Sequence, residues 1–187
     1  YDEENYAKGH RGICAYYPEN TLSSFYAGVH MGATGIETDI HKTADGVLVL
    51  FHDDTLMRVT GQPGSVKDYT YEELQTFSVS VHGKSDRIPT LEEFLQAFGH
   101  LDLTFAIELK QPFTEADTVA MLEKAMRDGK RVAVPKCYGD EMKFIFMDDL
   151  SKVESGYAGI PEPIDDEPVA EDPTALVLMP GMAFTAS

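Results

Sequence analysis

The chain has 187 residues, of which 43% are hydrophobic, so it can bury the core of one ordinary domain or two small ones. Its formal net charge of −17 disfavours nucleic acid and anionic membrane surfaces as partners, because like charges repel. We find no apolar run near the ~18 residues of a membrane span and no signal peptide. We expect a cytoplasmic location, and an anionic substrate would need a local cation from a metal or from clustered Arg and Lys.

The first 110 residues show the pattern of alternating strands and helices. The predicted elements are a helix at 22–31, a pair of strands within 35–51, a short helix at 71–77, a helix beginning at Thr90, and a strand at 103–109. Thr90 is a good N-cap, and Glu93 stands at the capping-box position. Residues 54–65 and 78–87 are predicted to be loops. This order predicts an α/β fold with a growing parallel sheet.

The remainder of the chain gives a different pattern. We expect a helix at 115–128, followed by short strands at 131–135, 143–148 and 175–179. Residues 161–173 are rich in Pro, Asp and Glu and are predicted to be loop. We therefore divide the chain into two segments, 1–112 and 113–187.

Three carboxylates occupy strand positions that could converge at one edge of the sheet. Glu37 and Asp39 alternate with the apolar positions of one strand, and Glu108 ends another. Carboxylate oxygens suit Mg²⁺ or Ca²⁺ better than zinc, and the sequence does not choose between the two ions. The alternative is that these are solvated acids of an acid-rich protein.

Two histidines and two cations complete the set of candidate functional residues. His10 and His52 each stand at a strand end, and a pair of imidazoles can donate and accept protons near neutral pH. Arg11 and Lys110 could bind a phosphate. The alternatives are structural histidines and solvated cations.

Residues 8–110, which contain all of these candidate residues, resemble the glycerophosphodiester phosphodiesterase family. The motifs that carry the resemblance are His10-Arg11-Gly12, Pro18-Glu19-Asn20-Thr21, Glu37-Thr38-Asp39, Thr43-Ala44-Asp45-Gly46, His52-Asp53 through Arg58, Ile88-Pro89-Thr90-Leu91-Glu92-Glu93 and Glu108-Leu109-Lys110. The resemblance implies a TIM barrel whose site lies at the carboxyl ends of the strands.

The resemblance also implies a role for each candidate residue. It makes Glu37, Asp39 and Glu108 ligands of a divalent metal, and His10 and His52 the general acid and base. Arg11 and Lys110 would bind the phosphate of a glycerophosphodiester. One histidine would deprotonate the glycerol hydroxyl that attacks phosphorus, the other would protonate the leaving alcohol, and water would complete hydrolysis to glycerol phosphate.

The segment is short for this fold, since a complete barrel needs about 250 residues. It supplies roughly the first three strand-helix units, so we expect a partial, TIM-barrel-like half. Such a half leaves open sheet edges, which could pair with a second copy of the chain in a homo-oligomer.

Residues 114–185 resemble a second family, 5-formyltetrahydrofolate cyclo-ligase, which has a three-layer α/β fold and uses ATP and Mg²⁺. By position in that family, Met142, Phe144 and Glu162 would line a folate pocket. The basic and glycine-rich segments that handle the nucleotide in that family are missing. Three interpretations therefore stand: a metal-dependent phosphodiesterase, which leads, a folate- or ATP-binding fragment, and an inactive chimera or truncated product.

Overall fold

The computed structural model describes residues 8–110, 115–127, 129–138, 141–155, 161–164 and 176–180. The helices are α1 (Leu22–His30), α2 (Met57–Thr60), α3 (Tyr71–Leu74), α4 (Leu91–Phe98) and α5 (Glu115–Arg127). The strands are β1 (Lys8–His10), β2 (Gly35–Lys42), β3 (Leu48–Leu50), β4 (Val79–Val81), β5 (Lys84–Asp86), β6 (Thr104–Leu109), β7 (Val132–Tyr138), β8 (Glu141–Met147), β9 (Val153–Ser155), β10 (Pro161–Pro163) and β11 (Leu176–Pro180).

One sheet organises the described chain, with strand order β1-β2-β6-β11-β7-β8. The neighbours from β1 to β7 run parallel, whereas β8 is antiparallel to β7 and β3 pairs antiparallel with the end of β2. The register of β2 against β6 places Asp39 opposite Glu108. Parallel strands with covering helices agree with the partial TIM-barrel-like α/β fold that the sequence predicts.

The main hydrophobic core lies between the sheet and helices α1 and α4. Phe94 of α4 makes edge-to-face contacts with Phe25 of α1, at 5.2 Å between ring centroids, and with Phe105 of β6, at 5.3 Å. The helix begins as predicted: the Thr90 hydroxyl accepts a hydrogen bond from the Glu93 amide, and the Glu93 carboxylate accepts one from the Thr90 amide. This packing fixes the carboxyl ends of β2 and β6 side by side.

A second, smaller core supports the segment between β3 and α4. It is formed by buried apolar side chains, namely Val49, Phe51, Leu56, Val66, Leu74, Val79 and Ile88. The prediction of a loop at 78–87 is wrong, because β4 and β5 pair antiparallel there. The connecting residues His82 and Gly83 both have positive φ, which suits a two-residue hairpin turn but is unusual for a histidine. The predicted loop at 54–65 likewise contains α2.

Three of the strands beyond residue 110, β7, β8 and β11, join the same sheet, whereas β9 and β10 form a separate antiparallel pair. β11 lies between β6 and β7 and is parallel to both, so it pairs directly with the strand that carries Glu108. The predicted loop at 161–173 begins with β10, which pairs with β9, and residues 165–173 lie outside the described part of the chain. The junction at 111–114 lies outside it as well. The division into segments 1–112 and 113–187 therefore stays a prediction.

Among the described residues, no helix has the length and apolar character needed to cross a membrane.

Candidate active site

Three carboxylates converge at the carboxyl ends of β2 and β6. Glu37, Asp39 and Glu108 each offer an oxygen, and these oxygens lie within 4.8 Å of one another. The strand alternation puts Glu37 and Asp39 on one face, and the β2–β6 register brings Glu108 beside Asp39. Asp39 is completely buried and Glu37 nearly so. Acids this buried are not ordinary solvated surface groups.

The two predicted phosphate-binding cations border these carboxylates. The Lys110 ammonium lies 2.7 Å from Glu108 Oε1 and 3.1 Å from Asp39 Oδ1, while Arg11 Nε is 3.5 Å from Asp39 Oδ2. Partial burial acts to lower the pKa of Lys110, but the hydrogen bond to Glu108 and the charge of Asp39 outweigh it, so the pKa is raised. Lys110 therefore stays charged beside the acids.

Asn20 is a site residue to which the sequence analysis gave no role. It is buried, and its Nδ2 donates a hydrogen bond of 3.0 Å to Asp39 Oδ2 while its Oδ1 accepts one of 2.8 Å from Thr38 Oγ1. Its φ of 53° is in the left-handed region, which Asn tolerates better than most residues. The only available signal was its place in the Pro18-Glu19-Asn20-Thr21 motif.

His10 lies at the end of β1 against Glu37. Its Nδ1 is 2.9 Å from Glu37 Oε2, and that oxygen also accepts a 3.2 Å hydrogen bond from the Arg11 amide. Burial, then repulsion by Asp39, raises the pKa of Glu37 to about 7. Partial burial and the neighbouring Arg11 charge lower the pKa of His10. The imidazole and the carboxylate are thus in direct contact, while 68% of the His10 side chain stays exposed.

Gly12 allows the loop after β1 to pack closely against α1. Gly12 has a φ of +86°, and a Cβ at this position would overlap the Ser24 side chain. A glycine is therefore needed for the turn that directs Arg11 toward Asp39.

His52 lies two residues beyond β3. The Phe51 amide donates a 2.9 Å hydrogen bond to the Asp39 carbonyl, which ties this chain segment to the carboxyl end of β2. His52 Nδ1 is 2.7 Å from Asp53 Oδ1, and Asp53 in turn is held by Arg58. His52 is also near enough to His10 for the two imidazoles to interact electrostatically.

The residues present fit a divalent cation. In the described part of the chain, the buried Asp39 Oδ1 and Arg11 Nε make no hydrogen bond of good geometry. Their close neighbours are ion-pair partners: Lys110 Nζ lies 3.1 Å from Asp39 Oδ1, and Arg11 Nε lies 3.5 Å from Asp39 Oδ2. The free lone pairs of the carboxylate suit a cation, whereas the Arg11 N–H suits an anionic acceptor such as a phosphate oxygen. Burial, with a further contribution from the charge of Asp39, raises the pKa of Glu37, so a bound cation would favour its ionised form. Hard oxygen donors are what Ca²⁺ and Mg²⁺ take. The chemistry of the donors does not select one of these ions.

The three predicted folate-pocket residues lie elsewhere. Phe144 is in β8 and packs near Ala133 and Phe146, and Glu162 is in β10, opposite Glu154. The backbone of Met142 is in β8, but its side chain lies outside the described residues.

Comparison with known proteins supplies a family for this arrangement. Residues 10–147 match the Glycerophosphoryl diester phosphodiesterase family. The glycerophosphodiester phosphodiesterase of Caldanaerobacter subterraneus subsp. tengcongensis is 41% identical over 105 residues, which are 54% of this chain and 43% of that protein. The chain thus spans less than half the length of this curated relative.

Solved structures agree with the family match. The crystal structure of glycerophosphodiester phosphodiesterase from Agrobacterium tumefaciens strain C58 superposes with a TM-score of 0.58 at 30% identity, covering 65% of this chain and 54% of that one. An Oleispira antarctica phosphodiesterase, solved in complex with the product sn-glycerol-3-phosphate, gives a TM-score of 0.55 at 28% identity, covering 64% and 51%.

The fold and the carboxylate cluster thus define a partial TIM-barrel-like α/β protein with a candidate metal site. The chain belongs to the glycerophosphoryl diester phosphodiesterase family, since the match covers residues 10–147 of its 187 residues. This match extends beyond residue 110, where the predicted resemblance ended, and includes residues 114–147. The comparisons do not show the predicted resemblance of residues 114–185 to 5-formyltetrahydrofolate cyclo-ligase.

Proposed function

We propose that the chain acts as a metal-dependent phosphoric diester hydrolase that converts glycerophosphodiesters to glycerol 3-phosphate and an alcohol. The observation that carries the proposal is the convergence of Glu37, Asp39 and Glu108 on the paired strands β2 and β6, in contact with His10, Arg11 and Lys110. His52 lies close enough to His10 for their charges to interact. Family membership supports it, as does the product sn-glycerol-3-phosphate in the similar Oleispira antarctica structure.

Charge complementarity assigns the binding roles. Glu37, Asp39 and Glu108 would hold one divalent ion, Ca²⁺ or Mg²⁺, which when bound supplies positive charge that polarises the phosphoryl group. Arg11 and Lys110 stand on either side of Asp39 and would bind the phosphate oxygens, Arg11 through its planar guanidinium and Lys110 as a point charge. The acids and cations together make a site for a cation and an anion at once.

The histidines take the proton-transfer roles. One imidazole accepts the proton of the glycerol 2-hydroxyl while its oxygen forms a bond to phosphorus, and the other donates a proton to the alcohol oxygen as the second P–O bond breaks. A water molecule then adds to phosphorus in the reverse sense, which regenerates the glycerol hydroxyl and leaves glycerol 3-phosphate. His10 at the end of β1 contacts Glu37, and His52 beyond β3 is held by Asp53, so the two imidazoles come from different strand ends, as two such roles require.

The test is hydrolysis of glycerophosphocholine by the purified chain with Ca²⁺, with Mg²⁺ and with chelator. We expect metal-dependent release of glycerol 3-phosphate that falls by at least about 100-fold in His10→Ala and in His52→Ala, since general acid-base catalysis contributes about 10²–10⁴-fold. The matched control is His100→Ala, because His100 is an exposed histidine outside the site. No turnover with either ion, or equal turnover in His10→Ala and wild type, would reject the proposal for this chain.

A further inference from the structure

A network of ion pairs leads away from His52 and involves none of the three carboxylates Glu37, Asp39 and Glu108. Arg58 donates from Nε to Asp53 Oδ2, at 2.5 Å, and from Nη2 to Asp53 Oδ1, at 2.9 Å. Asp53 Oδ1 also contacts His52 Nδ1. The same guanidinium donates from Nη1 to Glu19 Oε2, at 2.8 Å, and from Nη2 to Glu19 Oε1, at 2.6 Å. One side chain therefore makes four hydrogen bonds to two carboxylates.

The position of Arg58 is fixed by the fold. It is the second residue of α2, two positions after Leu56, which is completely buried in the smaller core. Glu19 belongs to a different loop, which precedes α1. Its Oε1 also lies 3.5 Å from Arg11 Nη1. Arg58 thus joins the loop that carries His52 to the loop that carries Arg11.

The chemistry of these contacts fixes the form of the imidazole. An ionised carboxylate only accepts hydrogen bonds, so a neutral His52 must carry its proton on Nδ1 to bond with Asp53. Hydrogen bonding from Arg58 lowers the pKa of Asp53 to about 2, which keeps that carboxylate ionised. Nε2 of His52 is then left without a proton and can accept one from a substrate.

We propose that Arg58 is a positioning residue, whose guanidinium holds Asp53 so that His52 keeps its proton on Nδ1 and presents a proton-accepting Nε2. The kinetic consequence of this inference rests on the proposed function, whereas the form of the imidazole does not. Glu19, His52 and Asp53 are close enough to be considered as a metal site themselves. The guanidinium favours the ion-pair interpretation, because its four hydrogen bonds use the oxygens that an ion would need.

The experiment compares Arg58→Met and Arg58→Lys with wild type by two readouts. The ¹⁵N chemical shifts of labelled histidine report which imidazole nitrogen of His52 carries the proton, above the pH at which it titrates. Steady-state kinetics on glycerophosphocholine separates kcat from KM. Arg87→Met is the matched control, because Arg87 also donates through both terminal nitrogens to a carboxylate, that of Glu93, away from the site.

We expect wild type and Arg87→Met to hold the proton on Nδ1, and Arg58→Met to shift it toward Nε2. In Arg58→Met kcat should fall about 10- to 100-fold with KM within about twofold, as seen when groups that orient a catalytic residue are removed. For Arg58→Lys we expect a kcat between those of wild type and Arg58→Met, since lysine keeps the positive charge but lacks the planar set of N–H donors of arginine.

Each other outcome is decisive. An unchanged His52 proton position in a folded Arg58→Met overturns the inference, and so does a second divalent ion bound by Glu19, His52 and Asp53 in the wild type. If the wild type shows no turnover, the proposed hydrolysis fails for this chain, and the ¹⁵N shifts alone still confirm or overturn the role of Arg58.

Discussion

Asn20 donates a 3.0 Å hydrogen bond to Asp39, and it does so from a backbone conformation with a φ of 53°. The backbone N–H of Asn20 also donates a hydrogen bond to the Arg11 carbonyl, at 3.0 Å. A single buried side chain thus connects the loop that carries Arg11 to the most buried acid of the site. The carboxylate geometry therefore depends on the loop before α1 as well as on the sheet.

We predict that Asn20→Ala destabilises the protein by about 1–3 kcal/mol, because it removes the buried hydrogen bonds that Asn20 makes to Asp39 Oδ2 and to the Thr38 hydroxyl. It should also weaken divalent-metal binding, because Asp39 loses the contact that orients it. Urea unfolding and calorimetric titration with Ca²⁺ and Mg²⁺ measure the two effects.

The control for this prediction is Thr38→Val. It removes the hydroxyl that donates to Asn20 Oδ1 but leaves the hydrogen bond to Asp39 in place. Metal affinity should stay close to that of wild type in Thr38→Val. A metal affinity lowered equally in both variants would contradict the orienting role of Asn20.

The carboxylates themselves give a second prediction. Glu37→Gln, Asp39→Asn and Glu108→Gln should each reduce the affinity for Ca²⁺ or Mg²⁺ by at least about tenfold, because each removes one negative oxygen donor from a set of three. Glu92→Gln is the matched control, since Glu92 is an exposed acid on α4. Isothermal titration calorimetry provides the measurement. An absence of saturable binding in the wild type would remove the metal site.

The sequence predicted the carboxylate set because its signals are local. Alternation along β2 marks Glu37 and Asp39, and the end of a strand marks Glu108. The capping box at Thr90 and Glu93 was predicted and is confirmed for the same reason. These features depend on residues two to four positions apart, for which backbone geometry alone decides the relationship.

Features that depend on distant contacts or unusual backbone were missed. The β4–β5 hairpin turns at His82 and Gly83, and a histidine is not the residue expected at a left-handed turn position. The contact between Asn20 and Asp39 joins residues 19 positions apart. Nothing in the composition of β11 indicates that it pairs between β6 and β7, because strand order follows from long-range packing.

The sheet edges lead to a third prediction, concerning association. Within the described residues, β1 pairs only with β2, and β8 only with β7. Strand edges with free amides and carbonyls can pair with another chain. We predict concentration-dependent self-association in sedimentation velocity, and a single monomer species at all concentrations would contradict it. Homo-oligomer formation and a cytoplasmic location both stay predictions.

The fourth prediction concerns acid stability and the start of α4. Hydrogen bonds from Arg87, with a further contribution from the Thr90 amide, lower the pKa of Glu93 from 4.5 to about 2. A carboxylate whose pKa is lower in the folded state binds fewer protons there than in the unfolded state. Its stabilising contribution is therefore complete above pH 4.5 and is lost as the pH falls toward 2.

Replacing Glu93 with Gln should remove this part of the pH dependence. We expect the free energy of unfolding of Glu93→Gln to lie about 1 kcal/mol below wild type at pH 7, as for loss of a helix cap, and the two to converge near pH 2. Urea unfolding from pH 2 to pH 7 measures the difference. Glu92→Gln should follow the wild-type curve, because Glu92 is exposed and takes no part in the cap. A difference between wild type and Glu93→Gln that stays constant over this range would show that the Glu93 carboxylate does not stabilise the fold through its lowered pKa.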